Sequence, residues 1–258
     1  MEWFEVAAVL LVGFAAGFIN TISGSGSLLT LPLLIFLGLP APVANGTNRV
    51  SILFQTSISS FGYHRRKLLN LKKGLSLAVP ATLGALAGAV IAADLDEKIL
   101  KQAIGVLLLC MLVIILIKPE RWFKPAGIPQ PTRMGPWQWL ILFVIGIYGG
   151  FIQAGVGFLL LAGLVWGNKL DVVTANVYKN FIVLCFTLVA LVVFLWNGQV
   201  SFLPGIVLAT GSSAGAWLAV KLSIKKGPAF ISWFLVIMII VSAFQLMDVL
   251  DLIRQSMR

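Results

Sequence analysis

The chain has 258 residues, of which 59% are hydrophobic and 11% charged, with a mean hydropathy of +1.01. That balance excludes a water-soluble domain with a single core, whose surface would have to be apolar too, and leaves a membrane protein. The net charge of +10 would suggest nucleic acid as the partner of a soluble protein. Here the bases cluster in short segments between apolar runs, where they report orientation in a lipid bilayer and not nucleic-acid binding.

The first apolar stretch, 4–40, carries Glu2 and Glu5 in place of a basic leader, so it reads as part of the fold and not as a cleaved signal peptide. It is interrupted at 21–27 by hydroxyl residues and by Gly24 and Gly26, which predicts a helical hairpin of short pieces. Spans follow at about 43–62, 74–93 and 98–117, closing a first unit over 1–118. The segment 119–136 holds Pro119, Pro125, Pro129, Pro131 and Pro136, cannot continue a helix, and reads as a linker. The second unit, 137–258, repeats the plan: a hairpin over 137–168 broken at 153–157, then spans at about 171–196, 203–222 and 229–247. Trp122, Trp137 and Trp139 sit where an interfacial aromatic belt is expected, and Cys110 and Cys185, inside apolar runs with no metal or redox spacing, read as buried packing residues.

The two units are copies. Gly13, Gly17 and Asn20 in the first hairpin return as Gly146, Gly150 and Gln153, and further on Gly24, Gly26, Asn45, Gly74 and Gly84 fall on Gly155, Gly157, Asn176, Gly205 and Gly215 at an offset of 131. Bases gather at 64–73, 118–133 and 221–226, which the positive-inside rule makes cytoplasmic, while the acidic turn at 94–98 and the uncharged turn at 197–201 face outside. Each half then crosses an odd number of times, so the halves are inverted relative to one another. The fold predicted is an all-α polytopic membrane protein with an inverted internal repeat, each half a broken hairpin plus three transmembrane helices, multi-pass and with both termini periplasmic.

Broken backbone at membrane depth is tolerated only where protein or a watery cavity satisfies it. The breaks therefore supply the first candidate binding residues: Asn20, Ser23, Ser25, Gly26 and Ser27 in one half, Gln153, Gly155 and Gly157 in the other. The segments after the hairpins supply the rest, Asn45, Asn48 and Arg49 in one and Asn176, Lys179 and Asn180 in the other, with Asn45 and Arg49, and Asn176 and Asn180, sharing helix faces at a spacing of four. Arg49 and Lys179 are cations some two turns into apolar spans, a placement costly enough to mark function. The acids Glu2, Glu5, Asp94, Asp96, Glu97, Glu120, Asp171, Asp248 and Asp251 all lie near loops or helix ends. With no mid-membrane carboxylate to pair them, the two cations are expected to converge between the halves and hold a small anionic substrate, with N–H groups after Gly26 and Gly157 assisting. The one histidine, His64, stands in a basic loop, and neither a nucleophile-and-base pair nor a metal-ligand cluster is present, so no catalysis, metal or cofactor is expected.

Three segments carry a family likeness: 13–32, ending in Gly24-Ser25-Gly26-Ser27-Leu28-Leu29-Thr30-Leu31-Pro32; Leu37-Gly38-Leu39-Pro40; and Ala44-Asn45-Gly46-Thr47-Asn48-Arg49. Together they resemble the sulfite exporter TauE/SafE family of bacterial membrane transporters, and Gly149-Gly150-Phe151-Ile152-Gln153-Ala154-Gly155-Val156-Gly157 resembles its second-half counterpart. The resemblance implies a secondary transporter in the bacterial inner membrane that exports or exchanges small organosulfur anions such as sulfite or sulfonates, by alternating access. An anion channel, or a carrier of another small anion such as a carboxylate, is the alternative, and a homo-oligomer is compatible with either.

Overall fold

The computed structural model describes residues 3–117 and 134–225. The expected span at 229–247, most of the linker, Trp122 and the C-terminus lie outside the described residues. Every regular element among the described residues is helical: α1 (Trp3–Ile22), α2 (Ser27–Phe36), α3 (Ala41–Arg65), α4 (Leu71–Asp94), α5 (Glu97–Ile117), α6 (Pro136–Ile152), α7 (Val156–Ala162) with a π-helical turn over Gly163–Gly167, α8 (Val172–Trp196) and α9 (Phe202–Lys225).

Local chemistry sets these limits. Pro136, at the end of the linker as read from sequence, is the first residue of α6, where its missing N–H costs nothing. Asp171 starts α8 by accepting from the N–H groups of Val173 (3.1 Å) and Thr174 (3.0 Å), and Asn70 starts α4 by accepting from Lys73 N–H (3.1 Å). Both hairpins break where the sequence shows its glycines: Gly24 turns at φ 82°, Gly155 at φ 73°. In the second break Gln153 also takes a left-handed conformation, φ 30°, although it carries a Cβ.

By length and composition α1, α4, α8 and α9 are apolar enough to cross a membrane. The 25-residue α3 is long enough but too polar, because its buried face carries Asn45, Asn48, Arg49, Gln55, Thr56 and Ser59. A span so polar is stable only when that face is turned into protein.

The first helix of each hairpin packs on the other half. Gly146 and Gly150 of α6 lie on the Ala81 and Ala85 carbonyls of α4, and Gly84 and Gly88 of α4 lie on the Phe143 and Ile147 carbonyls of α6. In the same way Gly13 and Gly17 of α1 meet Leu208 and Ser212 of α9, while Gly211 and Gly215 of α9 meet Leu10 and Phe14 of α1. The register of these contacts makes α6 parallel to α4 and α1 parallel to α9. A Cβ at any of these eight positions would fall closer than 3.0 Å to facing backbone, so small residues set how near the helices approach.

The surface divides as expected of a chain in lipid. Trp3, Phe36, Trp137, Trp196 and Trp217 are exposed, as are the apolar outer rows of α4 and α8. Cys110 is a correction to the sequence reading: it is exposed on α5, where an apolar thiol faces lipid as readily as a packed interior. Arg65, Arg66, Lys67, Lys72, Lys73, Lys221 and Lys225 share one end of the bundle, and Asp94, Asp96 and Glu97 lie at the other.

The α4–α6 contact is directly testable. Gly84→Val should force the helices apart and cost about 2 kcal/mol or more, within or above the range for overpacking, whereas Gly105→Ala, with open space around it, should be neutral or slightly stabilising. Thermal unfolding in detergent measures both; equal midpoints would mean that the α4–α6 approach is not a determinant of stability.

Candidate functional site

A helix that stops inside a bundle leaves its last four carbonyls without intrahelical partners. The final turn of α6 ends in this way beside the second break, and α3 meets it there. Arg49 donates from Nη1 to Gly149 O (3.2 Å) and from Nη2 to Gly150 O, and Asn45 Nδ2 donates to Phe151 O (2.8 Å). Ile152 O accepts from Ala154 N–H, so the whole last turn is satisfied. Arg49 Nη1 also reaches Gln153 Oε1 (3.1 Å), and the guanidinium lies 4.6 Å from the centroid of the Phe194 ring.

The first break is held the same way by the opposite half. Lys179 of α8 donates from Nζ to Asn20 O (2.9 Å) and Thr21 O (3.0 Å), and Asn180 Nδ2 also donates to Thr21 O (3.0 Å). Ile19 O accepts from the N–H groups of Ser23 (2.7 Å) and Gly24 (3.3 Å) and from Ser23 Oγ (2.9 Å). Each half thus supplies one cation and one asparagine to the end of the other half's broken helix. A positive charge there opposes the negative end of the helix dipole.

This geometry corrects the reasoning from sequence on one point. The absence of a mid-membrane acid does not leave Arg49 and Lys179 without protein partners, because backbone carbonyls serve instead. Both side chains are fully buried, at 0% and 1% exposure, which lipid-facing or snorkelling residues would not be.

The two breaks touch. Gly24 and Gly157 pack backbone to backbone, and Gly26 lies on the Ala16 carbonyl, so a side chain at any of the three would collide. The Gly26 N–H donates to Asn20 Oδ1 (3.0 Å), while Asn20 Nδ2 donates to Ser27 Oγ (3.3 Å) and Ser23 Oγ meets Ser25 Oγ at 2.9 Å. Gly155 serves as the left-handed residue that starts α7.

Beside this crossing lies a small cavity lined by Asn20, Ser27, Gln55, Thr56, Gln153, Gly157, Lys179 and Asn180 among others, with about 10 Å³ for the centre of a water-sized molecule. That is room for about one water. Of the residues singled out from sequence, Asn20, Ser27, Gln153, Gly157, Lys179 and Asn180 come together there. Asn48 is turned instead to α2, accepting from Thr30 Oγ1 (2.7 Å), and Asn176 donates to Tyr63 Oη (3.2 Å). Arg49 and Asn45 stand one layer behind, and Arg49 joins the cavity through Gln153, whose Nε2 donates to Thr187 Oγ1 (2.6 Å). Gln55 and Thr56 were missed, although the recurrence of polar residues every three to four positions from Asn45 through Asn48 to Ser59 was a readable signal.

Removing the guanidinium strands the carbonyls it holds, at a cost of about 1–3 kcal/mol for each acceptor left unsatisfied. Arg49→Gln should therefore lower the thermal midpoint far more than Lys72→Gln, and Arg49→Lys should recover only part, since an ammonium lacks the planar fork. A wild-type midpoint for Arg49→Gln would show that the bonds to α6 contribute nothing to the fold.

The family model described as "Sulfite exporter TauE/SafE" matches residues 9–246. The chain is 30% identical to a probable membrane transporter protein, ORF9, of Sinorhizobium sp, over 95% of this chain and 93% of that one. It is 27% identical to a probable membrane transporter protein of Haemophilus influenzae, over 90% and 91%, and 24% identical to the probable membrane transporter protein YfcA of Escherichia coli K12, over 94% and 89%. No solved structure matches the chain. A match over nearly the whole length, on a helical chain with apolar spans and two glycine-broken hairpins, places this protein in the sulfite exporter TauE/SafE family of membrane transporters.

Proposed function

We propose that the protein is a secondary carrier that moves small organosulfur anions, sulfite or a sulfonate, across the bacterial inner membrane by alternating access of two inverted halves. The observation that carries this reading is the reciprocal holding of the breaks: the end of each broken helix is fixed by a cation and an asparagine from the opposite half, beside one small cavity that Asn20, Gln55, Gln153, Lys179 and Asn180 help to line. Discontinuous helices meeting at the interface of two repeats are where secondary transporters bind their substrates.

The chemistry at the cavity suits an anion. Lys179 commits two N–H groups to Asn20 and Thr21 and has a third to offer, with the Ser27 hydroxyl and the amides of Gln55 and Gln153 around it, while the Thr56 hydroxyl is donated to Ile52 O (2.6 Å). A three-oxygen anion needs more room than a water, so loading must move Gly24 away from Gly157. Motion of one half against the other does this, and the same motion loosens the bonds that each half makes to the other's broken helix. Transport needs no covalent step, and the reading assigns none. The basic end of the bundle is cytoplasmic and the Asp94–Glu97 turn is periplasmic.

The test is flux in proteoliposomes whose orientation is fixed by impermeant-thiol labelling of Lys72→Cys from one side and Lys98→Cys from the other, in a background without Cys110 and Cys185. Sulfite uptake should saturate and show counterflow. Lys179→Gln and Gln55→Leu should reduce it by roughly 10- to 100-fold, the scale of one or two lost hydrogen bonds to a charged ligand, while a surface change such as Lys72→Gln leaves it intact. Linear, non-saturating flux would replace the carrier with a channel, saturable flux of carboxylates alone would replace the substrate class, and labelling of both positions from one side would overturn the topology.

A further inference from the structure

A second site lies on the opposite face of α3. Its inner row, Asn45, Arg49, Ile52, Gln55, Thr56 and Ser59, is buried against the other helices, but Ser57, Ile58, Phe61, Gly62, Arg65 and Arg66 form one wall of an outward groove of about 1040 Å³. The other wall is a single stripe of α9: Ser213, Ala214, Trp217, Val220 and Lys221. The two helices are tied by Ser51 to Ser212 (2.7 Å) and by Tyr63 to Ser223 (3.1 Å), and the groove shares no lining residue with the central cavity.

The lining is graded along its length. From Ser57 to Arg65 is eight residues of helix, about 12 Å, and over that distance the groove passes from apolar walls, with Phe61 65% exposed and Trp217 55% exposed, to three cations. Lys221 Nζ sits 3.5 Å above the Trp217 ring, which holds that ammonium at the mouth. Among the described residues neither Arg65 nor Lys221 is hydrogen-bonded or paired with a carboxylate, and Arg66 reaches only the Gly62 carbonyl (3.3 Å). A second copy of the chain seated symmetrically in this groove would bring the same three cations against these, so a homodimer is disfavoured here. A small free anion would gain the charges but leave the apolar walls uncovered.

We propose that the groove between α3 and α9 binds one anionic phospholipid, its phosphate held by Arg65, Arg66 and Lys221 and an acyl chain laid over Phe61, Ile58 and Trp217. Basic pockets between spans on the cytoplasmic side are suited to such headgroups. The site is separate from the transport cavity and does not depend on what is transported.

The purified full-length protein in neutral detergent is titrated with phosphatidylglycerol, phosphatidylcholine or inorganic phosphate, with bound lipid counted by native mass spectrometry and stability followed by thermal unfolding. Phosphatidylglycerol should remain bound and raise the midpoint, whereas the other two should do neither at the same concentration. Combined Arg65→Gln, Arg66→Gln and Lys221→Gln should weaken retention roughly 100-fold, the product of what three bases contribute near an anionic headgroup. The charge-matched set Lys67→Gln, Lys72→Gln and Lys73→Gln should retain it. Ala214→Trp, which fills the groove and leaves the cations in place, should also lose lipid. Wild-type retention in either groove variant, equal binding of phosphatidylcholine, or an equal shift from inorganic phosphate would each overturn the proposal.

Discussion

Everything central in this molecule follows from helices that end where there is no water. A carbonyl without a partner in hydrocarbon costs several kcal/mol, and the two broken hairpins expose a full last turn of them at the middle of the bundle. The chain meets that demand with side chains from the other half, Arg49 and Asn45 for α6, Lys179 and Asn180 for α1. Neither half is complete alone. The bonds that let the hairpins stop also join the halves, so any relative motion of the halves must act on them.

The packing is consistent with this demand. Close approach of α4 to α6 and of α1 to α9 through glycine and alanine brings each broken helix within reach of the donors on α3 and α8. The contact of Gly24 with Gly157 puts both breaks at one point, and the polar groups that no carbonyl occupies, Gln55, Ser27 and the remaining N–H of Lys179, face the cavity beside it. An arrangement held by hydrogen bonds to backbone, in place of ion pairs, can exchange one acceptor for another at small net cost. On the proposed function, substrate loading makes that exchange.

Much of this was legible in the chain. The recurrence of Gly24, Gly26 and Asn45 as Gly155, Gly157 and Asn176 locates both breaks, since only glycine turns at φ 82° or 73° without strain. The depth of Arg49 and Lys179 in apolar sequence marks them as exceptional. Their partners were not legible, because an inventory of acids says nothing of backbone carbonyls, and which helix end a cation reaches depends on how two distant halves dock. Asn48 and Asn176 share the pattern of Asn45 and Asn180 yet bond Thr30 and Tyr63, because a step of about one turn along the helix changes which neighbour is met, and spacing alone does not resolve it. Gln55 and Thr56 were readable as a continuation of the polar row, but uncharged side chains in a long span draw less notice than a buried base. Cys110 shows the converse limit: in lipid an apolar run does not say which of its faces is inside.

The most direct test is anomalous diffraction at the selenium edge from crystals of the transport-competent protein grown with selenite, which copies the charge and pyramidal shape of sulfite. The account predicts a selenium peak placed so that a selenite oxygen lies within hydrogen-bonding distance of Lys179 Nζ, among Gln55, Thr56 and Gln153, with Gly24 and Gly157 drawn apart. A peak elsewhere, with Lys179 still bound to the Asn20 and Thr21 carbonyls and the two glycines still in contact, would contradict it.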